Sequence, residues 1–321
     1  MRTGKKLLAL LLLVLLPLSG CASRPAETER HSVAMVVKST ETEFWKSVFA
    51  GANAASSEYN IDLTITGPET EEDYETQNQY IEEAVDSGVD AIVFSAISYE
   101  ENAAAIDAAV ARGVKIVVID SDVDSEHVSV RIGTDNVAAG RQAAAAALVT
   151  KEETLVIGLV NYAQVSRNGQ EREWGFREAA LEDSRVAGIY TVNALSTQED
   201  AEERAAELLR EHPEINVLVG FNEPTSVGAA RAVAGQALED RVRMVGFDSN
   251  VITVDLMQSG AVDALIVQNP YAMGYLGVEA AYGLLNGETY NAAELMDTPT
   301  STVTRENMFD IENQKVLFSF N

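Results

Sequence analysis

Val117-Val-Ile-Asp120-Ser121 and Val245-Gly-Phe-Asp248-Ser249 are two copies of one pattern, a short apolar run ended by an aspartate and a serine. They lie 128 residues apart, and a second pair, Ala91-Ile-Val-Phe-Ser95 and Val217-Leu-Val-Gly-Phe-Asn222, keeps an offset of 127. A continuous apolar run of this length reads as a strand covered on both faces. A polar residue at its carboxyl end falls where open α/β sheets bind ligands. The fixed offset reads as two similar halves. If the halves face one another, Ser95, Asp120, Asn222 and Asp248 converge on one cleft.

On either side of these runs, from Ser32 onward, short apolar runs alternate with longer Ala-rich amphipathic stretches, the signature of parallel sheets covered by helices. Strands are expected at Val33–Val37, Asp62–Thr66, Ala91–Ser95, Lys115–Ile119 and Val128–Ile132, and again at Leu155–Val160, Gly188–Val192, Asn216–Phe221, Arg243–Phe247 and Ala264–Gln268. Helices are expected to begin near Glu43, Glu71, Glu101 and Asn136, then near Gly169, Gln198, Thr225 and Ile252. Gly88 and Gly113 fall where helices should end. Tyr271–Leu285 reads as one more helix and Ser301–Val303 as a final strand. The fold class is therefore α/β, two doubly wound parallel-sheet lobes.

Fifty acidic residues against 23 basic ones give a net charge of −27, which leaves nothing to grip a phosphate backbone and argues against nucleic acid. One cysteine and three scattered histidines support neither a disulfide framework nor a thiolate zinc site, so no cofactor or metal is expected. The motifs of nucleotide, serine-hydrolase and zinc-protease chemistry are absent from the sequence. Asp120 and Asp248 could in type serve as the carboxylate pair of a glycosidase, but accepting hydrogen bonds from a hydroxylated ligand needs no further apparatus. The expectation is a binding protein, not an enzyme. The acid-rich stretch Glu69–Glu75 reads as a solvated loop and first helical turn.

Residues 1–20 combine early positive charges with a ten-residue apolar run, a secretory signal too short to span a bilayer comfortably. Leu18-Ser19-Gly20-Cys21 resembles a bacterial lipobox, which implies cleavage before Cys21 and its acylation. Residues 21–31 would then be the lipidated cysteine and a polar tether.

Beyond that point eight segments occur in the order found in periplasmic ribose-type sugar-binding proteins, the solute-binding lipoproteins of carbohydrate ABC transporters. They are Val33-Ala-Met-Val-Val with Phe44-Trp45, Gly88-Val-Asp-Ala-Ile-Val, Val117-Val-Ile-Asp120, Thr134-Asp-Asn-Val-Ala-Ala-Gly-Arg141, Glu171-Arg172-Glu-Trp-Gly-Phe176, Phe221-Asn222-Glu223, Val245-Gly-Phe-Asp248 and Val267-Gln268. The resemblance runs from about residue 32 to 305 and extends to the ligand-binding fold of lactose-repressor-like regulators. It implies the type I periplasmic-binding-protein arrangement, lobe 1 being 32–134 plus 270–298 and lobe 2 being 135–268 plus 299–321. Three crossovers near Thr134–Asn136, Gln268–Pro270 and Thr298–Ser301 would form the hinge.

Carried over by position, the resemblance places Phe44 and Trp45 against the C–H face of a sugar ring, or else in the core at the start of the first helix. Asp120 would accept sugar hydroxyls or cap the next segment. Asn222 and Asp248 would do the same from lobe 2, against capping or turn roles. Arg172 would donate its fork, or else form a surface ion pair with Glu171 or Glu173, and Gln268 would contact ligand or only shape the hinge.

This chain departs from the ribose pattern at Thr42, Ser95 and Ser121, each of which remains a candidate contact, and at Ser196, where an aromatic is expected. Lys38 is an added charge that could meet a hydroxyl or a sugar acid's carboxylate, or pair with Glu41, Glu43 or Asp120. The implied function is capture of a monosaccharide, or a related polyol or sugar acid, outside the membrane by a monomeric lipid-anchored protein that delivers it to an ABC permease. The alternative is a sugar or autoinducer receptor signalling to a membrane sensor kinase or chemoreceptor. The location would be the outer face of the cytoplasmic membrane, or the periplasm where there are two membranes.

Overall fold

Buried apolar runs dictate the architecture of the computed structural model, which describes residues 30–162 and 164–318. The expected signal peptide and Cys21 lie outside the described residues. From His31 onward the chain forms one compact unit. Its first sheet holds β1 (Ser32–Val36), β2 (Asp62–Thr66), β3 (Ala91–Phe94), β4 (Lys115–Ile119), β5 (Val130–Gly133) and β11 (Leu295–Asp297), in the order β11-β5-β4-β3-β1-β2. The second holds β6 (Leu155–Asn161), β7 (Val186–Asn193), β8 (Val217–Gly220), β9 (Arg243–Phe247), β10 (Ala264–Val267) and β12 (Ser301–Thr304), in the order β12-β10-β9-β8-β6-β7. Every pairing is parallel except β10 with β12. The second sheet is thus not wholly parallel, because the chain enters β12 from a short link after β11, with no helix to carry it back to the opposite end.

The helices are α1 (Glu43–Glu58), α2 (Tyr74–Ser87), α3 (Ala103–Ala111), α4 (Asn136–Ala147), α5 (Arg167–Ala180), α6 (Gln198–Glu211), α7 (Glu223–Gly235), α8 (Val251–Ser259), α9 (Pro270–Leu285) and α10 (Ile311–Leu317). Sequence reading misses β11, which is exposed along its length, and α10, which buries only Leu317. Neither carries the apolar run or stripe that periodicity detects. The central strands β3, β8 and β10 are buried throughout. Each such Val, Ile or Leu contributes roughly 1.5–3 kcal/mol by leaving water.

Helix starts follow their caps. Thr42, Asp73, Asp135, Asn222 and Asn250 each accept a backbone N–H from the first turn of α1, α2, α4, α7 and α8. The cap at Asp73 moves the start of α2 three residues beyond the expected Glu71, which leaves Glu71 in a loop free to turn inward. The chain passes between sheets after β5, after β10 and after β11. These crossings are tied to each other by Thr134 Oγ1 donating to Gln268 Oε1 (3.0 Å), Asp135 N to the Asp297 carboxylate (3.1 Å) and Thr298 N to the Gly133 carbonyl (2.7 Å).

Candidate functional site

The carboxyl ends of both sheets meet at a shared, narrow cavity. Lys38, Thr42, Phe44, Trp45, Glu71 and Asp120 line it from the first sheet's side. Tyr162, Asn168, Arg172, Asn222, Glu223, Pro224 and Asp248 line it from the second, with Gln268 at a crossover.

Asp120 and Asp248 follow β4 and β9 in left-handed backbone, with φ of 56° and 65°. Few residues other than glycine adopt this conformation, aspartate among them, and here it turns each carboxylate off the strand into the cavity. Asp120 accepts from Ser95 Oγ and, across the cavity, from Asn168 Nδ2, both at 3.0 Å. Asp248 accepts from Gln268 Nε2 at 2.7 Å. Burial pushes the Asp248 carboxyl up to about 7, against the opposing pull of Arg172 and the Gln268 hydrogen bond. Neither aspartate caps a helix.

Arg172 is buried, with no ion pair to Glu171 or Glu173, which bond Arg167 and Arg177 instead. Its guanidinium donates to Asn136 Oδ1 (2.9 Å), the Phe221 carbonyl (2.8 Å) and Gln268 Oε1 (2.8 Å), and stands 3.9 Å from Asp120. It also lies over the Phe247 ring at 4.9 Å. Gln268 therefore joins Thr134, Arg172 and Asp248 in one hydrogen-bond network at the crossovers.

Asn222 serves two purposes, capping α7 through Oδ1 while Nδ2 donates to Ser196 Oγ at 2.7 Å. Phe44 and Trp45 meet edge to face, 5.1 Å apart, and both line the cavity. The Phe44 backbone N–H reaches Glu223 on the far side at 2.9 Å, and Asn250 donates to the other Glu223 oxygen at 2.8 Å. Burial raises the Glu223 carboxyl, partly offset by these bonds.

Lys38 pairs with none of the three acids expected. It is 2% exposed and meets Glu71 at 3.2 Å, Ser166 Oγ at 3.2 Å and the face of Tyr162 at 5.1 Å. Burial pulls the ammonium's proton affinity down, but Glu71, Tyr162 and Asp120 outweigh it and hold Lys38 above the ordinary lysine range. Glu71 also accepts from Trp45 Nε1 (2.9 Å) and from Ser196 Oγ (3.2 Å), so a residue expected on a solvated face is 7% exposed inside the cleft.

The structure thus brings Lys38, Thr42, Phe44, Trp45, Asp120, Arg172, Asn222, Asp248 and Gln268 to one cavity. Ser95 and Ser121 do not line it. Ser95 stands behind Asp120 and orients it, while the Ser121 hydroxyl is buried with no partner among the described residues. Ser95 spends its hydroxyl on Asp120, and Ser121 comes one residue after the left-handed turn that sends the Asp120 carboxylate into the cavity. Sequence reading missed Glu71, Tyr162, Asn168, Glu223 and Pro224; the last two adjoin Asn222, and that adjacency was the available signal. Among the described residues no group of His, Cys, Asp and Glu could hold a metal ion.

Bound polar side chains from two sheets around a small cavity suit a hydroxylated ligand, and comparison with known proteins agrees. The periplasmic binding protein domain matches residues 33–289. A D-ribose/D-allose-binding protein of Pseudomonas aeruginosa is 27% identical over 305 residues, spanning 90% of this chain and 93% of the relative. A sugar transporter structure from Clostridium phytofermentans is 33% identical with a TM-score of 0.77, covering 86% of this chain and 100% of that one. A carbohydrate transporter solute binding protein from Agrobacterium radiobacter, in complex with D-arabinose, is 27% identical with a TM-score of 0.85, covering 90% and 99%. With the family's model matching residues 33–289 and near-complete coverage of these relatives, this chain belongs to the periplasmic binding protein domain family.

Proposed function

We propose that the protein captures a monosaccharide or related polyol in the cavity between its lobes and presents it to an ABC import permease, acting by binding and not by turnover. The observation that carries this reading is the convergence of Asp120, Asp248 and Arg172 from opposite sheets on one small polar cavity. A carboxylate at Asp120, a second carboxyl at Asp248 and a forked donor at Arg172 are what discriminates hydroxyl patterns, since each buried group left unpaired costs about 1–3 kcal/mol. Relatives whose names specify ribose, allose and arabinose support the ligand class.

Lobe 1 (32–134 plus 270–298) and lobe 2 (135–268 plus 299–321) rotate about the three crossovers, and a ligand touching both favours the closed form by its differential contacts. The protein is exported and acts as a monomer outside the cytoplasmic membrane, held by acylated Cys21. No helix among the described residues is long and apolar enough to cross a membrane.

A thermal-shift screen of pentoses, hexoses and polyols tests the binding. A ligand at 100 times its Kd adds about 2.7 kcal/mol of stability, and a panel that shifts nothing sinks the reading. Small-angle scattering should show a smaller radius of gyration with the ligand that binds. Replacing Cys21 with alanine should move the protein from the membrane to the soluble fraction.

A further inference from the structure

Lys38 places a second full positive charge beside Arg172 in the cavity, which at first sight makes the cleft a receptor for anions. The geometry around it argues the reverse. The ammonium is already engaged by Glu71 at 3.2 Å, both groups are almost wholly buried, and Trp45 Nε1 and Ser196 Oγ hold the Glu71 carboxylate in place. Arg172 faces Asp120 at 3.9 Å, and its three donated hydrogen bonds go to Asn136, Phe221 and Gln268. Both cations are therefore neutralised in place.

The outer groove adds a second feature, of which Glu71 forms the inner end. It is lined by Glu41, Glu43, Glu69, Glu71, Glu199 and Glu223. Lys46 offsets Glu43 at 2.8 Å. A ligand reaching the cavity by this groove crosses a negative field that acts over roughly 8 Å at physiological salt.

We propose that Glu71 is a specificity-determining residue that closes the site to anionic sugars by neutralising Lys38, so that the ligand class is neutral. This rests on the sugar-binding reading above. With Glu71 in place, a carboxylate entering the cavity must displace another carboxylate from Lys38. Without it, the ammonium keeps Ser166 and the Tyr162 face but loses its ion-pair partner, and Asp120, beyond ion-pair distance, is the counter-charge left to it. The acid-rich groove reinforces the selection on entry.

The test is calorimetric titration of the full protein with matched pairs that share a ring, D-glucose with D-glucuronate and D-galactose with D-galacturonate, alongside D-ribose, D-allose and D-arabinose. The readout is the ratio of uronate to neutral-sugar affinity. Wild type should favour the neutral member, and Glu71→Gln should shift the ratio at least about tenfold toward the uronate. Lys38→Gln should shift it the opposite way by exposing Glu71, and this variant decides the matter if Glu71→Gln does not unfold cooperatively. High salt should narrow the wild-type ratio by screening the groove.

A wild type that prefers uronates, or a ratio unmoved in both variants while neutral sugars bind, overturns the proposal and leaves the sugar reading intact. A wild type that binds no sugar of the panel overturns both.

Discussion

Asp120 and Asp248 stand at matching strand ends in the two halves and share a left-handed backbone, yet they are held differently. Asp120 is gripped from both sides of the cavity, by Ser95 at the end of β3 and by Asn168 in the first turn of α5. Asp248 is bonded by Gln268 at the crossover, and desolvation lifts its carboxyl to about 7. Repetition of one backbone device has produced two electrostatic settings, because what surrounds each turn comes from loops that are not repeated. Asp120 is tied to the start of α5 beside the second sheet, and Asp248 to the crossover that follows β10.

The largest test of this contrast removes what the two aspartates share. Arg172→Met leaves both carboxylates without their nearby cation and strands Asn136, Gln268 and a carbonyl, so denaturant unfolding should show a loss of about 3–5 kcal/mol. A loss below 1 kcal/mol would mean that the carboxylates do not depend on Arg172. Next comes Asp120→Asn, which keeps a residue type tolerated at positive φ and removes the charged acceptor. Affinity for the sugar that binds should fall about 10- to 100-fold by calorimetry, with Asp248→Asn measured in parallel. Equal losses would erase the distinction between the two positions.

A third test exploits another repeated feature. α1 and α9 touch at Gly51 and Gly274, and α4 and α5 touch at Gly140 and Gly175, each glycine meeting a facing backbone. A Cβ at Gly140 would collide with the Arg172 carbonyl, whereas one at Gly274 would strike that of Val48. Both alanine variants should lose about 1–3 kcal/mol of stability. Gly140→Ala alone should also weaken ligand binding, by displacing Arg172.

The smallest effect is the pH response of Asp248. Its folded carboxyl holds a proton to about pH 7, while in the unfolded chain it ionises near the ordinary value of 3.8. Folded protein therefore binds more protons between those limits, and this group's contribution is fully present below about pH 4 and lost as pH rises through 7. Urea unfolding at pH 5 and pH 7.5 should show the decline, and Asp248→Asn should flatten it. Glu223, also raised by burial, contributes with the same sign.

Much of the fold was legible in the sequence. The apolar runs that became β4, β8, β9 and β10 needed only local reading, since strands buried on both faces leave a continuous signature. β11 and α10 escaped because an exposed strand and a helix with one buried side chain leave none. In the site, Asp120, Asn222 and Asp248 were visible as polar strand ends, and their offset of 127 to 128 residues tied the halves together.

Glu71 was not legible. Glu69, Asp73 and Glu75 around it face solvent, while Glu72 is half-buried and accepts from Ser196 N, and nothing in the spacing of these acids distinguishes the one that is buried. The cap at Asp73 and the arrival of Lys38 and Trp45 from elsewhere in the chain make that choice. The same holds for Ser95 and Ser121, which stop short of the cavity although they end the right strands.

By itself, then, the sequence determined the two-sheet α/β architecture and which strand ends carry polar groups, because periodicity and burial are written residue by residue. Only the tertiary structure decided which charges meet across the cleft and which carboxyl keeps its proton. Those outcomes depend on distance and desolvation, and both are set by how separate loops cross in space.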